Sequence, residues 1–127
     1  MHINRAKDAV VNYEYGCDLR RLYPWPGVAS PVWGSAIAAV RPGEATEPHA
    51  HDECETFIVL SGHGRMEIQE ETALLEDGDV VFIPRNRTHC FRNVSDHDPL
   101  VFISIYWDSP EARARMNTLV SEGREDV

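Results

Sequence analysis

Gly43–Gly62, GEATEPHAHDECETFIVLSG, sets two histidines and a carboxylate immediately ahead of an apolar, β-prone run. Pro42-Gly43 opens the stretch and Ser61-Gly62-His63-Gly64 closes it with turn-forming residues. His49 and His51 are two positions apart, so on an extended strand both imidazoles project to the same side. Glu55 precedes Phe57, Ile58 and Val59, where an unpaired carboxylate is costly to bury; pairing or metal ligation offsets that cost. A second stretch, Gly78–Asn93, GDVVFIPRNRTHCFRN, adds His89 in the same strand-like texture. Barrel closure brings His89 round to the other three, giving a nitrogen-rich site with one hard oxygen. Taken alone, His49-Ala50-His51 is as compatible with a solvent-facing coincidence as with ligation.

Outward from these stretches the chain reads as short strands joined by turns. Val10–Tyr15 is a β-prone edge candidate. Cys17–Pro31, CDLRRLYPWPGVASP, carries Pro24, Pro26 and Pro31 with Gly27, which excludes one long regular element and predicts an ordered loop. Its aromatics either cover a barrel mouth or plug one end of the core. Pro31–Val40 is a strand candidate, and Thr56–Leu60 is expected to form a hairpin with Arg65–Gln69, which alternates polar and apolar residues. Thr72–Leu75, Val80–Ile83, His89–Val94 and Leu100–Trp107 complete the series. The one helical pattern follows Ser109 as N-cap and Pro110 as first residue, with Met116, Leu119 and Val120 on one face and Gly123 as the stop. Many short strands and one terminal helix imply an all-β sandwich or barrel.

The 127 residues suit a single domain, with an N-terminal strand and loop extension over 1–31, a barrel over 32–107 and a helix over 109–122. A net charge of −9 opposes phosphate binding, so no nucleic acid and no anionic membrane are expected as partners. The apolar runs are far shorter than the ~20 residues a membrane span needs. MHINRAKDAVVNYEYG lacks the pattern of a secretion signal, so a cytoplasmic location is expected. Three cysteines without metal-knuckle spacing fit reduced thiols better than disulfides, and Cys54 and Cys90, each beside a candidate ligand, read as small buried fillers. His2 and His63 read as exposed, His97 as a turn residue, and Tyr106 and Trp107 as core or interface.

The spacing Gly43-x5-His49-x-His51-x3-Glu55-x6-Gly62 matches the first cupin motif at every defined position. Gly78-x5-Pro84-x-Asn86-x2-His89-x3-Asn93 matches the second except at Asn86, where the family usually has glycine. The chain thus resembles the single-domain cupins of the cupin_2, RmlC-like type. The resemblance implies a double-stranded β-helix, the cupin jelly-roll barrel, with one divalent transition metal ion (Zn, Fe, Mn, Ni or Cu) held by His49, His51, Glu55 and His89. Asparagine tolerates positive φ, so Asn86 is expected to make the glycine's turn. Small cupins commonly pair through an edge strand, which makes a homodimer through Val10–Tyr15 the expectation.

The segment over 13–44 further resembles the cupin portion of bacterial hydrazine synthetases, which also carry a methionyl-tRNA-synthetase-like domain. That resemblance implies metal-assisted rearrangement of an amino-acid ester of an N-hydroxylated amine, forming an N–N bond, with a separate synthetase-like protein as partner. Arg20, Arg21 and Tyr23 would then meet the carboxylate of a small-molecule substrate, in the Cys17–Gly34 stretch. Two other readings stand beside it: an iron- or manganese-dependent dioxygenase of a biosynthetic pathway, and a non-catalytic small-molecule-binding cupin. The intact four-ligand set counts against the last, and the cupin scaffold by itself fixes no reaction.

Overall fold

Two antiparallel sheets face each other around a shared apolar core in the computed structural model, which describes residues 1–121. Nine strands build them: β1 (Asn12–Glu14), β2 (Cys17–Tyr23), β3 (Trp33–Val40), β4 (Cys54–Ser61), β5 (His63–Ile68), β6 (Glu71–Glu76), β7 (Val80–Ile83), β8 (His89–Asn93) and β9 (Leu100–Trp107). The larger sheet runs β1-β2-β3-β9-β4-β7 and the smaller β6-β5-β8. A helix, α1 (Pro110–Ser121), follows β9. This is the expected all-β jelly-roll barrel with one short C-terminal helix. No helix among the described residues is long and apolar enough to cross a membrane.

Period-two patterning explains which side chains meet inside. On β4, Glu55, Phe57 and Val59 are buried while Cys54, Thr56 and Ile58 are more exposed. On β9 the inward set is Leu100, Phe102 and Ser104. Phe57 and Phe102 of the larger sheet lie 4.3 Å apart, centroid to centroid, and Phe91 of the smaller sheet stacks 5.8 Å from Phe57. Three buried aromatics thus fasten the sheets together, with Val40, Val59, Met66, Ile83 and Leu100 around them.

Two expectations need correction. Cys17–Tyr23 is not loop but strand β2, paired with both β1 and β3. Its prolines all follow Tyr23, so they end the strand without interrupting it. The barrel wall therefore reaches into the segment read as an N-terminal extension. Nor do β4 and β5 form a hairpin: β4 pairs with β7 and β9, and β5 with β6 and β8. Gly62, at φ 107, carries the chain from one sheet to the other, and the tight hairpin is β5–β6, turning at Gln69 with φ 52.

The remaining elements follow the sequence closely. Ser109 caps α1, its Oγ accepting from the Ala112 N–H at 3.1 Å. Of the expected apolar face Met116 is half-buried, while the Leu119 and Val120 side chains and the stop at Gly123 lie outside the described residues. Asn86 has φ 61 and makes the turn that glycine makes in the family motif. Asn93 is buried and braces the loops, its amide donating to the Val40 and Asp98 carbonyls and its Oδ1 accepting from the Ser95 N–H.

Candidate metal centre

The four expected ligands converge. One donor atom from each of His49, His51, Glu55 and His89 lies within 4.8 Å of all the others. Three separate pieces of chain deliver them. Glu55 is the first inward position of β4 and His89 the first of β8, while His49 and His51 sit on the extended segment before β4. His49 and His89 form an isolated antiparallel bridge, which ties that segment to the smaller sheet.

The hydrogen-bonding around the cluster orients the imidazoles for ligation. His49 Nδ1 lies 2.7 Å from the Glu47 carbonyl, and His89 Nδ1 lies 2.9 Å from the Arg87 carbonyl. A carbonyl only accepts, so each Nδ1 carries the hydrogen and each Nε2 turns a lone pair inward. His89 Nε2 is buried without a hydrogen-bond partner, 3.3 Å from Glu55 Oε1. Two acceptor atoms facing each other across that gap in a buried site call for a cation between them. His51 Nε2 lies 3.0 Å from the same Oε1. The donor set fits a divalent transition metal, for which three imidazoles and one carboxylate leave one or two positions open to a substrate.

Electrostatics favour the deprotonated carboxylate that ligation requires. Burial pushes the Glu55 carboxyl up, but the hydrogen bonds it accepts from His51 and Ser104 help to outweigh burial and hold it at about 2. Ser104 Oγ donates to Glu55 Oε2 in a short hydrogen bond. The bond from Glu55 raises His51 above the ordinary imidazole range. Burial raises Glu53 and Tyr106 as well.

The cluster opens onto a cavity of about 480 Å³, with Leu19, Phe57 and Phe102 on its apolar wall and Arg21, Glu53 and Tyr106 among its polar groups. Of the three residues expected to meet the substrate, Arg21 lines this cavity and is paired with Glu14 at 2.7 Å. A substrate carboxylate must compete with Glu14 for it. Arg20 lies on the other side of β2, in an outer cleft of about 590 Å³, donating to Asn4. Tyr23 packs between Trp25 and Trp33, 6.1 and 4.9 Å away, and does not line the cavity. Cys90 is buried and hydrogen-bonds the Thr46 carbonyl, away from the cavity. His2 and His63 are exposed, as expected, and His97 is exposed too.

Sequence reading missed four contributors. Cys17 lines the cavity, and burial pushes its thiol up to about 11, so it stays protonated near neutral pH. Tyr15, at the β1–β2 turn, stacks on His49 with centroids 5.7 Å apart. Ser104 and Tyr106 share the inward face of β9, a period hidden within the largely apolar FISIYW. The lone polar Ser104 was the one available signal.

A jelly roll whose inner face gathers three imidazoles and a carboxylate has the architecture of a cupin barrel, with four donors positioned for a metal ion. The chain belongs to the cupin domain family Cupin_2, whose model matches residues 36–106. It is similar over nearly its whole length to the plu4264 protein from Photorhabdus luminescens, at 30% identity and a TM-score of 0.77, covering 95% of this chain and 97% of that one. It is 32% identical over 94 residues to the polyketide synthase CurC of Streptomyces cyaneus, covering 73% of this chain. It is 21% identical over 132 residues to a 5-nitrosalicylic acid 1,2-dioxygenase of Bradyrhizobium, covering 94% of this chain. The matches span 61% of the length of each of these two curated relatives.

Proposed function

We propose that the protein is a mononuclear metal-dependent enzyme for a small polar metabolite, and that its reaction is a rearrangement forming an N–N bond. A separate synthetase-like protein would supply the amino-acid ester of an N-hydroxylated amine. The observation that carries the enzyme reading is the convergence of the four donors, three of which (His49, His51 and Glu55) line a 480 Å³ cavity that also holds an arginine and a tyrosine. The particular reaction rests on the resemblance over 13–44.

In that reaction the amino-acid nitrogen attacks the hydroxylamine nitrogen, the N–N bond forms as the N–O bond breaks, and the oxygen leaves as a free carboxylate. The amine nitrogen is oxidised and the hydroxylamine nitrogen reduced, so no external redox partner is needed. A bound divalent metal supplies Lewis-acid polarisation and orientation. Arg21 releases Glu14 to hold the departing carboxylate, and Glu53 takes the ammonium proton. Leu19, Phe57 and Phe102 keep water from the reacting nitrogens. Incubation with metal, ATP, the partner, an amino acid and N6-hydroxylysine should give the hydrazine mass; its absence in metal-loaded samples overturns this reaction.

A dioxygenase is the second reading, supported by similarity to the nitrosalicylate enzyme along 94% of this chain. The aromatic wall at Phe57 and Phe102, with Arg21 lining the same cavity, would suit an aromatic carboxylate. Oxygen uptake on adding salicylate-type acids to iron-loaded protein would favour it, and turnover without oxygen would exclude it.

A further inference from the structure

Tyr106 and Glu53 belong to two spaces at once. Both line the cavity at the donor cluster, and both line an outer groove of about 270 Å³ between the start of β3, the end of β9 and α1. They form a two-residue partition, with Tyr106 directly opposite Glu55 in the β4–β9 register. The tyrosine ring rests where Gly34 has no side chain: a Cβ there would lie 2.2 Å from the ring. Gly34 thus leaves room for the Tyr106 ring, which lies between the two spaces.

Beyond the partition the groove has apolar sides, from Trp33 and Trp107, and a charged rim on α1. Glu111 and Arg115 stand one helical turn apart there, and neither is in an ion pair among the described residues. Among the described residues Arg115 makes only a 3.4 Å contact with the Ser30 carbonyl. Pairs at this spacing ordinarily satisfy each other. Left apart beside an apolar groove, a carboxylate and a guanidinium match the ammonium and carboxylate of one zwitterion.

We infer that the groove is the distal half of the substrate site and takes the zwitterionic end of an α-amino acid, whose side chain passes Tyr106 and Glu53 to the donor cluster. This rests on the metal-enzyme reading of that cluster. Trp33 and Trp107 report occupancy by fluorescence. With zinc-loaded full chain, L-2-aminoadipate should bind about tenfold tighter than adipate, which lacks the ammonium, or L-norleucine, which lacks the side-chain donor. Arg115→Ala should bring aminoadipate down to the level of the controls, and Arg115→Lys should restore part of the difference. Equal binding of all three ligands, or binding unchanged in Arg115→Ala, overturns the inference. Equilibrium dialysis of zinc is read separately: if zinc does not bind, the proposed function falls, and the groove is still decided by whether Arg115→Ala weakens aminoadipate and norleucine.

Discussion

His49 and His89 face each other as a pair that exchanges both main-chain hydrogen bonds, at 3.2 and 3.0 Å. Forty residues of chain separate them, yet the bridge fixes their rings with centroids 4.5 Å apart. The ligand geometry therefore depends on strand register as much as on side-chain identity. A one-residue slip of either segment would turn its imidazole to the opposite face.

Register near His89 is set by the turn before it, so Asn86 is a sensitive position. Its φ of 61 lies in the left-handed region that glycine and asparagine tolerate and β-branched residues do not. Asn86→Gly should leave the melting temperature nearly unchanged. Asn86→Val should cost about 1–3 kcal/mol in denaturant unfolding.

The metal-free protein should show a pH signature of the Glu55–His51 bond. Glu55 is depressed on folding, so its contribution is present above the unfolded carboxylate value and is lost as pH falls through about 2. His51 is raised on folding, so its contribution is present below the unfolded imidazole value and is lost as pH rises through the raised one. Stripped wild type should therefore exceed stripped Glu55→Gln in melting temperature most between about pH 4.5 and 6.5, with the gap narrowing on both sides. A gap independent of pH would show that the bond contributes nothing.

The aromatic fastening of the sheets can be tested apart from the site. Phe91 is fully buried and touches Phe57 and Phe102 across the core. Phe91→Ala should destabilise the fold by about 3–5 kcal/mol in urea unfolding, enough to compromise a domain of this size.

How much of this could be read from the residues depends on where the information resides. The ligand spacing was legible because its period matches a strand and its glycines mark turns, and β9 was legible because Leu100–Trp107 is apolar and β-prone at every position but Ser104. The β4–β5 hairpin was misread because a glycine-rich turn looks the same whether the chain doubles back or crosses to a second sheet. Strand β2 was misread because three prolines just beyond Tyr23 lent their character to the whole segment. Arg20 and Arg21 are adjacent in sequence and both line the outer cleft, and only the fold tells that Arg21 alone also reaches the cavity.

The metal content of purified His51→Ala and Glu55→Ala, set against wild type by elemental analysis with circular dichroism as the check on folding, addresses the metal centre directly. Wild type should carry about one equivalent of a divalent transition metal, and both variants should lose most of it while keeping the β spectrum. Stoichiometric metal retained in both folded variants would contradict the assignment of these residues as ligands.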